Sequence, residues 1–216
     1  MADQAGGATW TVIAAMLLAM EAVNTRRWDP GYDDRLADLE ADAERLTADD
    51  QPLPGRAMVA AALAITHAVR SLQLSAGPRA AEHPSADDFA AVLAEIEAAL
   101  ELVAAAPAGH SGMPDGLSAM LHGQAAIVLV ELSRLDSQHR PALLARARGH
   151  LDQMPPEMRD QAPVLGDMSV LAQLMEGGIS ADDPDVDALA GRYSNLWDRE
   201  GLGLRSALLT VTSRSP

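Results

Sequence analysis

SADDFAAVLAEIEAALELV, residues Ser85 to Val103, is the stretch on which the fold reading turns. Ser85 and Asp88 stand three apart just before an apolar run, the arrangement of a capping box at a helix start. Phe89, Val92, Ile96, Leu100 and Val103 then recur at steps of three and four, which places them on one helical face. Asp87, Asp88 and Glu95 fall on the opposite side, where solvent is expected. Pro107 and Gly109 end the segment.

The flanking sequence repeats this grammar. Upstream, Leu36, Leu39, Ala43 and Leu46 stripe a helix over about Asp33–Leu46, after the breaker cluster Trp28-Asp29-Pro30-Gly31. Met58, Ala62, Ile65, Val69 and Leu72 stripe another over about Arg56–Leu74, with Pro52 and Pro54 read as breakers before it. Downstream, a helix over about Asp115–Arg134 is apolar nearly all round between Ala125 and Val130, the mark of a segment enclosed on several sides. Pro141 suits a first helical turn, and Leu144, Ala147, Leu151 and Met154 follow as a stripe. Helices are also expected over about Thr9–Asn24, Arg159–Glu176 and Pro184–Asp198, with a frayed tail over 203–216. No stretch alternates like a strand, and no hairpin dipeptide joins two such stretches.

Two helix pairs match at a shift of 48 positions. Ile96 falls on Leu144, Ala99 on Ala147, Val103 on Leu151, Pro107 on Pro155, Leu117 on Leu165 and Met120 on Met168. The expectation is one all-α domain over residues 1–216, built of stacked antiparallel pairs over about 33–75, 85–135 and 140–176. A closed helical bundle is the alternative. Helix pairs with a proline-bearing turn resemble tetratricopeptide-like repeat arrays, and Ala104-Ala105-Ala106-Pro107-Ala108-Gly109-His110 is similar to their inter-helix turn. The long unit resembles the degenerate arrays of actinobacterial proteins, found beside caspase-like peptidase domains. The resemblance covers Asp33 to Asp198, but the Trp, Gly, Tyr and Ala markers of the standard repeat are not recognisable. It implies a protein-interaction module within a larger multidomain protein, and it carries over no catalytic residue.

Composition narrows the chemistry. The chain has 216 residues, 48% hydrophobic, with three Trp, two Tyr and one Phe, so Ala and Leu must fill the core. It has no cysteine, which excludes disulfides, thiol nucleophiles and cysteine metal sites. All 16 basic residues are arginine, so Schiff-base and phosphate-loop lysines are absent too. A net charge of −15 argues against nucleic acid and anionic membrane surfaces as partners. The apolar run Trp10–Met20 is short for a membrane span and is bounded by Asp3 and Glu21, so a cytoplasmic chain is expected.

Several constellations invite chemistry and are set aside. Asp33-Asp34-Arg35-Leu36-Ala37-Asp38 resembles the magnesium motif of terpene cyclases, with Arg192-Tyr193 as a late motif, but rings to line a carbocation cavity are missing. The segment Asp182–Asp187 has calcium-loop carboxylates, yet Ala188 and Ser194 stand where Gly and Glu belong. His110-Ser111-Gly112 lacks the setting of a nucleophile elbow. Glu95, Glu97 and Glu101 are expected at a solvated surface, and the ten Met mostly in the core. His67 and His122 are expected as satisfied inward histidines.

The expectation is therefore a non-enzymatic module for protein–protein interaction, with no catalytic residue, metal or cofactor. Arg146 and Arg148 on one helix, and Arg192, Tyr193 and Trp197 on another, are the candidate contacts with a protein or peptide, because arginine and large rings are favoured at hot spots. The alternative is a closed sensor domain binding a small apolar molecule, with His67 or His122 as its polar handle.

Overall fold

An apolar stripe on one helix is stable in water only when a second helix covers it. The computed structural model describes residues 31–48, 51–76, 83–106 and 116–156. These form five helices and no strand: α1 (Gly31–Thr47), α2 (Leu53–Ala76), α3 (Ala86–Ala105), α4 (Leu117–Leu135) and α5 (Arg140–Asp152). The all-α class is thus present throughout the described residues. None of these helices is long and apolar enough to cross a membrane. The expected helices over about 9–24, 159–176 and 184–198 lie outside the described residues, as does the tail.

Two helices start earlier than expected. α1 begins at Gly31, which places Asp33 and Asp34 in its first turn, where carboxylates meet the positive end of the helix dipole. α2 begins at Leu53, so Pro54 lies inside the helix and does not break it. The first turn has no intrahelical use for a proline N–H, and the fixed proline φ suits a helix. Arg56 N already donates to Pro52 O at 3.1 Å.

The chain forms two units. One comprises the described residues up to Arg70 together with those of 91–121; the other comprises those of 71–90 together with those from His122 onward. In the first unit α1 and α2 form an antiparallel hairpin. Tyr32, Leu36 and Leu39 cluster with Ala62, against partly buried Leu63 and Val69. Ala43 pairs with Val59, flanked by Leu46 and Leu63. Early residues of α1 therefore meet late residues of α2, and late meet early. The buried surface of α2 is wider than its predicted stripe, taking in Ala57, Ala61, Ala64 and Ala68 as well as Ala62 and Ile65. Small side chains on several sides allow neighbours to approach closely. The buried Thr66 hydroxyl needs a partner there and donates to Ala62 O at 2.8 Å.

The second unit contains the antiparallel pair of α4 and α5. Its core includes Ala125, Ala126, Val128, Leu129 and Val130 from α4, and Leu143, Leu144, Ala147 and Leu151 from α5, with Met154 just beyond. The short connection is organised by Asp136, which accepts from the N–H groups of Gln138 and His139 at 3.1 Å each. Arg140 Nε donates to Ser133 O at 3.1 Å, closing a carbonyl in the last turn of α4. Glu131 is a carboxylate with only 7% of its side chain exposed. Arg134 neutralises it through Nε at 3.1 Å and Nη2 at 2.9 Å, and also donates to Ser75 Oγ at 3.3 Å.

At the start of α3 the capping box forms reciprocally. Ser85 N donates to Asp88 Oδ2 at 2.8 Å and Asp88 N donates to Ser85 Oγ at 3.2 Å. The Ser85 hydroxyl and backbone bonds hold the Asp88 carboxyl below its ordinary value.

Along the sequence, the 48-residue shift lays buried Ile96 and Ala99 of α3 on buried Leu144 and Ala147 of α5. That shift carries Ala86, the first residue of α3, onto Arg134 inside α4, and buried Phe89 onto exposed Ser137. An offset of 55 instead takes Phe89, Val92, Ile96 and Ala99 onto Leu144, Ala147, Leu151 and Met154, all buried. The two offsets differ by seven residues, two helical turns. In an alanine- and leucine-rich stripe such a slip still lays apolar residues on apolar residues.

Candidate functional site

Two histidine-centred contacts are the most chemically loaded features of the described residues. The first gathers three helices of the first unit around His67 in α2. Its Nδ1 donates to Glu95 Oε2 of α3 at 2.6 Å, and its Nε2 donates to Glu40 Oε1 of α1 at 3.0 Å. Both ring nitrogens can donate only in the imidazolium form. Burial opposes that charge, since 18% of the His67 side chain is exposed, but Glu95 and then Glu40 outweigh it and raise its pKa above the ordinary value.

One turn along α2, Arg70 extends the same interface. Its Nη2 donates to Asp33 Oδ1 at 3.0 Å, and its guanidinium lies 5.6 Å from the centre of the Tyr32 ring. Tyr32 itself is buried among Leu36, Leu39 and Ala62. Charge pairing and apolar packing thus run side by side along the α1–α2 seam. Glu95, expected as solvated surface, is half-exposed and also serves as the anchor of His67.

The second contact lies in the second unit. His122 of α4 and His150 of α5 bring their Nδ1 atoms to 2.9 Å, with ring centroids 5.2 Å apart and planes inclined at 45°. At that separation one nitrogen donates and the other accepts, so the pair holds one proton between them. Burial is what lowers the His122 pKa. His139 makes a third, local contact, donating from Nδ1 to Asp136 Oδ2 at 2.7 Å, and this bond lowers the Asp136 pKa.

The two principal contacts have the same spacing. His67 and Glu95 are 28 residues apart, as are His122 and His150. The offset of 55 that aligns the buried residues of α3 and α5 also carries His67 onto His122 and Glu95 onto His150.

Arg146 and Arg148 are both on α5, Arg146 exposed and Arg148 half-buried. Two residues on a helix differ by about 200° around its axis, so the two arginines face nearly opposite ways and do not form one patch. Arg146 instead lies on an exposed face with Ala142, Ala145 and Gly149. A side chain added at Gly149 would meet nothing within 4 Å. Arg192, Tyr193 and Trp197 lie outside the described residues, as do His110 and Asp182–Asp187. Among the described residues no group of three or more metal-ligating side chains converges.

Chemically, His67 is poorly suited to proton transfer with a substrate, because carboxylates occupy both its nitrogens. The arrangement fits an electrostatic clamp between helices. Sequence reasoning places His67 and His122 facing inward but finds neither partner, since a contact across 28 residues depends on hairpin register. No protein-family model matches the chain, and comparison with curated proteins and with solved structures finds no match either.

Proposed function

We propose that the chain is a non-enzymatic, tetratricopeptide-like array of helical hairpins that holds a protein or peptide partner. The observation that carries this reading is the recurrence at an offset of 55. It relates the buried sets of α3 and α5 and, with them, the interhelical contacts of His67 and His122. A helical hairpin that recurs with its interhelical contact is the unit from which open arrays are built, and such arrays work by presenting surface. In this reading the hairpins lie in a row, and the molecule belongs to a larger multidomain protein in the cytoplasm.

The partner-facing surface is the exposed side of α5, with Arg146 as its charged anchor among Ala142, Ala145 and Gly149. Small residues beside one arginine suit a helix or extended peptide carrying a carboxylate. Affinity capture from the native cell tests this with Arg146→Ala and Gly149→Trp beside the unaltered chain. Both variants are expected to lose the same captured protein at an unchanged melting temperature. An identical captured set for all three chains would remove this face from the proposal.

A further inference from the structure

We propose that His122 and His150 together bind one transition-metal ion of the zinc type, which pins α4 to α5. Two imidazole nitrogens from different helices stand 2.9 Å apart, close to the separation a single shared ion imposes. With zinc–nitrogen bonds of about 2.0–2.1 Å, a tetrahedral ion holds two ligand nitrogens about 3.3 Å apart. A shift of either ring by about 0.4 Å reaches that separation, and the ion takes the place of the proton now between the rings, which moves to Nε2 of the ring that held it.

The surroundings favour such an ion. The two ring nitrogens come from different helices, with ring centroids 5.2 Å apart and planes inclined at 45°. Two nitrogen donors select zinc, nickel or copper over calcium and magnesium, which require oxygen. Both histidines are only partly buried, so water can complete the coordination shell. His67 is not a ligand of this ion, because its two nitrogens already donate to Glu95 and Glu40.

Isothermal titration of the full chain with zinc chloride at pH 7.5 tests the proposal. One ion per chain is expected, with a rise in melting temperature. His122→Gln and His150→Gln should each weaken binding by about tenfold or more, the scale seen even for loss of a group that only supports a metal ligand. His67→Gln and His139→Gln should bind zinc as the unaltered chain does. Absence of binding, or equal weakening in all four variants, would overturn the proposal and leave only diffuse attraction to an acidic surface. Should a substitution impair folding, nitrogen NMR of the unaltered chain decides. Zinc must move the Nδ1 resonances of His122 and His150 and leave those of His67 in place, and the reverse pattern contradicts the assignment.

Discussion

His67 and Glu95, 28 residues apart, meet at 2.6 Å and tie α2 to α3, while the opposite ring nitrogen of His67 ties α2 to α1 through Glu40. One imidazolium thereby links three helices of the first unit. Because its folded pKa is raised, the stabilisation is fully present below the unfolded value of about 6.5 and is lost as pH rises through the folded value. His67→Gln should cost about 1–2 kcal/mol at pH 6, less than a fully buried charged hydrogen bond because both glutamates are half-exposed. Denaturant unfolding of both chains from pH 6 to pH 9 checks this. The gap should narrow as pH rises, and a constant gap would mean that packing alone is responsible.

His122 responds in the opposite sense. Its folded pKa is lowered, so its contribution is present above about 6.5 and is lost as pH falls through the folded value. Protonation of both rings would set two N–H groups against each other across the 2.9 Å contact. Hydrogen-exchange protection factors, each taken relative to the intrinsic rate at its own pH, should therefore fall near His122 and His150 on acidification from pH 7 to pH 5, while amides around His67 keep their protection. An equal loss of protection in both regions would contradict the assignment.

The Glu131–Arg134 pair offers a third test. Arg134→Ala strands a buried carboxylate and is expected to cost about 3–5 kcal/mol, as breaking a buried pair generally does. Adding Glu131→Gln should restore much of that loss, since the charge is then removed as well. Chemical denaturation of the single and double variants measures the recovery.

Gln124 carries an enclosed Oε1 with no hydrogen-bond partner among the described residues. An unsatisfied buried acceptor costs about 1–3 kcal/mol, so Gln124→Leu should leave stability unchanged or raise it, by up to about 1 kcal/mol. A clear fall in the denaturation midpoint would show that the amide is needed.

The sequence was most informative where burial and helical period coincide. Leu144, Ala147, Leu151 and Met154 form a stripe at steps of three and four, and all four are buried. The Ser85–Asp88 cap was equally readable, because its donors and acceptors lie within one turn. Register was not. In alanine-rich helices a seven-residue slip preserves the apolar pattern, so Ile96 matches Leu144 or Leu151 equally well. The partners of His67 and His122 depend on how one helix is set against the next, which the apolar pattern does not fix, and so both contacts were invisible. Pro54 misled for a different reason: a proline that breaks a helix interior is well accommodated in a first turn.

Small-angle X-ray scattering of the chain in solution discriminates most directly between hairpins laid in a row and a closed bundle. A compact body of this length has a radius of gyration of about 17 Å. The open array predicts a clearly larger value and a distance distribution with a long, skewed tail. A radius at the compact value with a symmetric distribution would contradict it.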